Sequence, residues 1–466
     1  MGDLGQTRSS GRETLVARAL FIALAIVFPA CFSVFPAIFN DGDTSWHVAA
    51  GQWILSHGRV PTADPFSFTA FGHPWVAMEW PANLAMAGAY GLAGYAGLAA
   101  LFAAALIALH AIVFAHLARR ASPLLIVAAV LVMDVALARY MLVRPHVLVW
   151  PVVAAWTALL ARASETGEPP PLWAALLLVL WTNLHGSFPL AAVIAAPLAL
   201  DALIKAEWKT LRAWLVFAGA SLVAICLNWN GPAGLLQPFH VASLKTLHLI
   251  QEWQPGDPAT TPLFYAALAV MLGGLLWRGV RVPPGRLVLL LPLLLLAFSQ
   301  QRHQSWAVIV AAVLVPPLFA TRAEPARRLA PLLVIAAVPL LLVRAAVPMV
   351  PPENVANPRH LLAALPPELR RQPVFNEYSL GGPLILAGIR PYIDGRSEMY
   401  GDDFVRDYVA IANGDAPRFD RAVERYNIRW TILPAGNSTL LRHLDQSGQW
   451  KRIHADRVGV IHVRSD

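Results

Sequence analysis

Residues 97–117 read GLAALFAAALIALHAIVFAHL, an apolar run without an Asp, Glu, Lys or Arg, closed by Arg119-Arg120. A helix rises ~1.5 Å per residue, so ~20 apolar residues cross a hydrocarbon core of ~30 Å. This stretch therefore reads as a membrane-spanning helix, and it sets the frame for the rest of the chain. Comparable runs lie near 16–38, 123–139, 147–162, 171–184, 187–204, 212–228, 262–277, 287–300, 305–321 and 329–349, about eleven crossings in all. The shorter, Gly-rich stretch 81–95 reads as a helix lying at the interface. The composition agrees: 57% of the 466 residues are hydrophobic and only 14% charged, against ~25% charged in soluble domains. A soluble enzyme, a disordered chain, a collagen and a coiled coil are all excluded. Two cysteines, Cys31 and Cys226, both in apolar stretches, exclude a disulfide framework and a cysteine-rich metal site.

The charges are unevenly distributed. Residues 351–466 hold 29 of the charged residues, 15 basic and 14 acidic, which is the density of a soluble domain. Nearly all of the net +8 lies in residues 1–350, so it argues for membrane topology and against nucleic acid as a partner. Arg8, Arg12, Arg18, Arg119, Arg120, Arg162, Lys205, Lys209, Arg212, Arg278, Arg281, Arg286, Arg322, Arg327 and Arg328 fall on one predicted side. By the positive-inside rule that side is cytoplasmic. The N-terminus is then inside, with the first run as a retained signal anchor. Residues 351–466 are outside, in the periplasm of a Gram-negative cell. The chain divides into a helical membrane domain, 1–350, and a small α/β domain, 351–466, with the Pro-rich stretch Pro348–Pro352 as linker. In the second part Val374-Phe375, Tyr392-Ile393, Trp430–Leu433 and Val458–Val463 read as strands. Phe404–Ala412, Arg418–Tyr426 and Ser438–Leu444 read as helices.

The chemistry gathers at the predicted outer ends of the spans: Asp41-Gly-Asp43, Trp46-His47, Met78-Glu79-Trp80, Arg144-Pro-His146, Asn183-Leu-His185-Gly186, Asn228-Trp-Asn230, Glu252-Trp253 and Gln300-Gln-Arg302-His303. Ionisable and amide groups at membrane depth are costly, and they mark cavities and function. The long external loop 39–80 carries Asp41 and Asp43. Two close carboxylates bind a divalent metal or raise one another's pKa so that one serves as a base; Asn-Asp-Gly-Asp is also good solvated-turn chemistry. Arg144 and Arg302 suit a phosphate, because the guanidinium fork donates two hydrogen bonds; the competing role is snorkelling to lipid headgroups. His146, His185 and His303 are candidates to position or protonate a leaving group, and Trp46, Trp75 and Trp80 to stack on a sugar face. There is no GxxxxGK[ST], HExxH, GxSxG or CxxC. Asp134 and Asp201, the acids predicted in or beside spans, are few for a proton-coupled transporter.

Several of these segments recur together in a known family. Asp43-Thr-Ser-Trp46-His47, Gly51-Gln-Trp53-Ile54-Leu55, His57-Gly58-Arg59-Val-Pro61, Asp64-Pro65-Phe66-Ser67 and Glu79-Trp80 resemble the first external loop of bacterial GT-C-type glycosyltransferase-like membrane proteins. The resemblance continues through Arg144-Pro145, Trp181-Thr-Asn183-Leu-His185-Gly186, Glu252-Trp253, Phe375-Asn376-Glu377-Tyr378-Ser379, Ile393-Asp394-Gly395-Arg396 and Tyr400-Gly401-Asp402. It departs at Ser45, where a second Trp is common, and at Met78, where His is common. The resemblance implies a mainly α, polytopic GT-C-like membrane body with a small extracytoplasmic α/β domain. It implies transfer of a sugar from a polyprenyl-phosphate carrier to an envelope acceptor, with inversion, on the outer face. By the same resemblance Asp43 is the base, with Glu79 and Asp41 as further acids. Arg144 holds the donor phosphate, with Arg302 and His303 placed beside it by their position at the same level; His47, Trp46, Asn183, His185 and Glu252 are the candidates to line the acceptor and sugar site. A divalent cation (Mg or Mn), if present, sits on Asp41 and Asp43. The alternatives are a lipid-linked sugar transporter or flippase, and a non-catalytic envelope-polysaccharide assembly protein.

Overall fold

A computed structural model describes residues 36–205, 208–319, 339, 341–436 and 438–465. The predicted crossing near 16–38 lies almost entirely outside the described residues, as does the first half of that near 329–349, together with Cys31, Arg8, Arg12, Arg18, Arg322, Arg327 and Arg328. The helical part comprises α1 (Asp43–His57), α2 (Trp80–Leu117), α3 (Pro123–Leu137), α4 (Pro145–Thr166), α5 (Ala175–Leu184), α6 (Leu190–Lys205), α7 (Leu211–Cys226), α8 (Gln237–Ser243), α9 (Pro262–Trp277), α10 (Pro284–Ser299) and α11 (Gln304–Leu314). It is followed by α12 (Arg359–Ala363), β1 (Val374–Asn376), α13 (Gly381–Leu386), α14 (Ser397–Tyr400), α15 (Asp402–Ala412), α16 (Ala416–Tyr426), β2 (Trp430–Pro434), α17 (Ser438–Gln446), β3 (Trp450–Ala455) and β4 (Gly459–Arg464). The protein is thus mainly helical, with one small sheet near its C-terminus.

Among the described residues, α2 and α4 are long and apolar enough to cross a membrane. The apolar stretches Leu172–Leu184, Leu211–Cys226, Pro262–Trp277 and Pro284–Ser299 are shorter, at 10–17 residues. They are short because polar breaks and prolines end them: α5 stops at Leu184, where His185 turns extended. The helix α2 is two helices joined at a kink, since Ala93 and the positive-φ Gly94 leave helical geometry. The predicted interfacial segment 81–95 and the predicted span from 97 therefore meet at this break. Helix α4 is the hub, packing against α2, α6 and α11. Its Trp150 and Trp156 are fully buried, and truncating such a side chain to Ala costs about 3–5 kcal/mol.

The sheet has the order β1-β2-β4-β3. Strand β1 runs parallel to β2, with Val374 opposite Trp430. Strand β4 is antiparallel to both β2 and β3. Two points differ from the sequence reading. Tyr392-Ile393 is not a strand, because the buried Asn376 side chain replaces a neighbouring strand: it accepts from Tyr392 N (2.8 Å) and donates to Ile393 O (2.8 Å). Strand β3, not predicted, is a charged edge carrying Lys451 and Arg452, its centre exposed; such edges resist pairing with other chains.

The sheet unit and the external loop interlock. Asn357 Nδ2 donates to Phe39 O (2.7 Å) and Thr69 Oγ1 to Tyr392 O (2.6 Å). Gly42 lies so close to Ser379 O, and Gly382 to Gly42 O, that a Cβ on either would overlap backbone. Glycine is required at this approach. The carboxylate of Asp64 pairs with Arg396 (2.7 Å), which also binds Asp394 through Nε (2.8 Å) and Nη2 (2.6 Å). All three side chains are at most 1% exposed.

Candidate functional site

The acidic residues of the site sit at helix starts. Asp43 opens α1, and its backbone N–H donates to Asp41 Oδ1 (2.8 Å), a local turn that Asp favours. Glu79 is the N-cap of α2, followed by Pro81. Carboxylates are favoured at helix N-termini, where backbone N–H groups are unpaired. Arg144 is extended (φ −135°, ψ 152°) because Pro145 follows it and disfavours helical geometry in the preceding residue. Pro145 then starts α4 at the position where a missing N–H costs nothing. Glu252 lies in the turn Gln251–Trp253, and Arg302 in the turn Gln301–His303 between α10 and α11. Gln301 N donates to Gln254 O (3.0 Å) and ties these two turns together.

These residues converge. Arg144 Nη2 is 2.9 Å from Asp43 Oδ2, and Nη1 is 2.8 Å from Glu252 Oε2 and 3.4 Å from Asp41 Oδ2. Glu252 Oε1 is 3.5 Å from Arg302 Nη1. The Arg302 guanidinium carbon lies 3.8 Å from the Trp253 ring centroid, in cation–π range. Among the described residues Arg302 meets no other carboxylate at ion-pair distance, and 26% of its side chain is exposed.

The same grouping divides the carboxylates. Burial pushes Asp43 up to about 7; Arg144 opposes the shift, while Asp41 and Glu252 add to it. Burial likewise raises Glu79 to about 8. Burial would also raise Glu252, but Arg144 and Arg302 outweigh it and hold that acid at about 2. Neutral and ionised carboxyl groups thus coexist near neutral pH, which is how acid and base roles separate.

Glu79 lies between two histidines. Its Oε2 is 3.7 Å from His47 Nε2 and its Oε1 is 3.6 Å from His185 Nε2. His47 Nδ1 meets Asn83 Oδ1 (2.7 Å), so Nδ1 carries the proton and Nε2 is bare. Ser187 N donates to His185 Nδ1 (3.0 Å), so there Nε2 carries the proton. At these distances Glu79 is not hydrogen-bonded to either ring, but it faces one bare nitrogen and one N–H, and a protonated carboxyl offers both a donor and an acceptor to that pair. Burial keeps His47 neutral.

Other residues singled out in the sequence are placed differently. Asn183 accepts from Trp80 Nε1 (3.0 Å) and donates to Val179 O and Leu227 O (2.8 Å each), a clamp with its amide fully used. Trp46 and Trp75 are buried in a small apolar cluster with Ile385. His146 Nε2 meets Tyr140 O (2.8 Å), and its ring lies 6.3 Å from that of His185. His303 sits beside Arg302, lowered to about 4 by burial and then by that arginine.

The sequence reading did not single out Gly395, Tyr378 or Glu398 as neighbours of the site. Gly395 packs onto Asp43 and Trp46: a Cβ there would overlap Asp43 Oδ1. Tyr378 donates from its hydroxyl to Gly395 O (3.1 Å). Glu398, in α14 beside Arg396, feels Arg302 and is raised first by burial. The Asp394-Gly395-Arg396 turn was the available signal, but it does not name a partner on the loop near residue 43.

The metal expectation meets the guanidinium. Asp41 and Asp43 share Arg144 with Glu252, and among the described residues no group of three or more His, Cys, Asp or Glu side chains is arranged to hold a metal ion. The donor set is filled by an arginine and does not fit a divalent cation.

No family model and no curated protein matches the chain in sequence. Among solved structures it is similar to the archaeal oligosaccharyltransferase AglB from Archaeoglobus fulgidus in complex with an inhibitory peptide and a dolichol-phosphate. The TM-score is 0.48 and the identity 11%, over 92% of this chain and 70% of that one.

Proposed function

We propose that this protein is a polytopic membrane glycosyltransferase that moves a sugar from a polyprenyl-phosphate carrier to an envelope acceptor at the outer face of the inner membrane. The observation that carries the reading is the chain of ion pairs Asp43–Arg144–Glu252–Arg302, which joins a partly buried carboxyl raised to about 7 to a partly exposed guanidinium on Trp253. A base works best with a pKa near the operating pH. Asp43 takes the proton of the acceptor hydroxyl as its oxygen attacks the sugar carbon. Arg302 meets the phosphate that leaves, where negative charge develops. Arg144, already shared by three carboxylates, aims Asp43, and Glu79 serves as the second acid. His47, Asn183 and Trp46 shape the wall. The apolar helices would cross the bilayer about eleven times, with residues 351–466 outside.

The test is native mass spectrometry of the detergent-purified protein, with transfer assayed from polyprenyl-phosphate sugars. Wild type retains a polyprenyl phosphate, Arg302→Ala loses it, and Asp43→Asn keeps the lipid but transfers nothing. Retention of ordinary phospholipid alone, unchanged in Arg302→Ala, overturns the reading. A second reading, a lipid-linked sugar flippase, is favoured by the buried His110–Asp134 pair (3.0 Å) between α2 and α3, since ionisable groups among apolar helices mark transport paths. Loss of function in Asp134→Asn with a silent Asp43→Asn would select it.

A further inference from the structure

The centre of the carboxylate cluster is filled by a side chain, and this decides what else can occupy it. Oxygen ligands of a magnesium, manganese or calcium ion converge on one point at about 2.0–2.6 Å. Here the oxygens of Asp43, Glu252 and Asp41 converge on a planar fork instead, at 2.9, 2.8 and 3.4 Å from the Arg144 nitrogens. The backbone that carries the fork is fixed as well, because Pro145 keeps Arg144 extended at the start of α4. An arginine stays charged at any physiological pH. Burial works against that charge, but Glu252, Asp41 and Asp43 outweigh it. A metal ion entering between Asp41 and Asp43 would face this fixed positive charge and would have to take its ligands away.

We propose that Arg144 is itself the cation of this site, and that the carboxylate cluster works without a divalent metal ion. The inference deepens the transferase reading of the same site and rests on it for its consequence. Arg144 screens and aims Asp43, the task a metal ion would otherwise perform. An incoming anion is answered by Arg302, whose guanidinium meets one carboxylate at 3.5 Å and one indole face.

The experiment is electron paramagnetic resonance of Mn2+ added alone to the full-length, chelator-treated protein in detergent. Wild type and Asp43→Asn should bind the same weak background of Mn2+. Arg144→Met should gain one tightly bound Mn2+ per chain, and Arg144→Met with Asp43→Asn should lose it again. Arg144→Lys, which keeps a positive charge, should resemble wild type. One tight Mn2+ in wild type that disappears in Asp43→Asn overturns the proposal, and this comparison stands even if the Arg144 variants fail to fold. A folded Arg144→Met that gains no ion also overturns it, because the carboxylates would then not converge. Occupancy is read without turnover, so a metal-binding wild type refutes this inference whatever it transfers. A chain that transfers nothing refutes the proposed function whatever it binds.

Discussion

Arg396→Met should be the most damaging single substitution outside the helical core. In the native protein the guanidinium binds Asp394 through two nitrogens and Asp64 through a third. The Trp75 and Phe66 rings lie 4.7 and 5.2 Å from its central carbon. Methionine fills most of the volume but leaves two buried carboxylates without a cation. Asp64 keeps the N–H groups of Phe66 (2.9 Å) and Ser67 (3.0 Å), and Asp394 keeps the Tyr400 hydroxyl (2.7 Å). These hydrogen bonds do not replace the lost charge. Breaking a buried ion pair by removing one partner costs about 3–5 kcal/mol. For a cooperative unit of roughly 150 residues, that lowers the unfolding midpoint by roughly 6–20 °C. Tryptophan fluorescence during heating of the purified protein measures it. Arg396→Lys retains the charge and loses the fork, so it should fall between wild type and Arg396→Met. A midpoint in Arg396→Met within 2 °C of wild type, a shift of about 1 kcal/mol or less, would refute the argument that the network depends on its charge.

Three other outcomes follow from the same geometry. Asp43 and Glu79 are raised to about 7 and about 8, so the native state keeps protons that the unfolded chain has lost. Their contribution to thermal stability should fall as pH rises from about 4 to about 8, while the buried His47, His146, His185 and His303, all lowered, act in the opposite sense below about 6.5. The reading is therefore a difference: Asp43→Asn and Glu79→Gln should gain stability relative to wild type as pH rises over this range, and a difference that stays flat would contradict the assignment. Glu252, held at about 2, acts in the opposite sense: its contribution is lost as pH falls below about 4.3, outside that window. Gly395→Ala places a methyl group against Asp43 Oδ1 and Trp46 Nε1. Overpacking of this kind costs about 1–3 kcal/mol, and transfer activity should fall well beyond what the lost stability explains. Asp402→Ala removes acceptors for Lys245 N (3.0 Å), Thr246 N (2.9 Å) and Thr246 Oγ1 (2.7 Å). Hydrogen exchange of the 244–254 segment should quicken while that of β2 stays unchanged.

The polar clusters were legible because each interrupts or ends an apolar run, and such interruptions stand out against the background. The structure brings Asp41, Asp43, Glu79, Arg144, His185, Glu252 and Arg302 into one neighbourhood. Which charge meets which was not legible. Arg144 suited a phosphate by its chemistry, yet its fork is shared among protein carboxylates, a fact that depends on turns more than one hundred residues away in the chain. Asp64 was read within a loop motif and Arg396 within a turn; their pairing joins residues 332 positions apart. Strands β1, β2 and β4 and helices α15, α16 and α17 of the sheet unit followed from the hydrophobic pattern, while β3, a charged edge with an exposed centre, and the short helices α12, α13 and α14 did not, and one predicted strand was replaced by a side chain. Asn376 satisfies Tyr392 and Ile393, and no hydrophobic pattern records that.

The contact of Gly395 with Asp43 also orders events during synthesis. At roughly 5–20 residues per second, the roughly 350 residues between these positions take on the order of 20–70 s to translate. Through that interval the opening helix, with its acidic start, waits for a wall that the ribosome has not yet made. A nascent or prematurely terminated chain therefore carries the carboxylates but not their seat. The seat for Asp43 belongs only to a chain translated past Gly395.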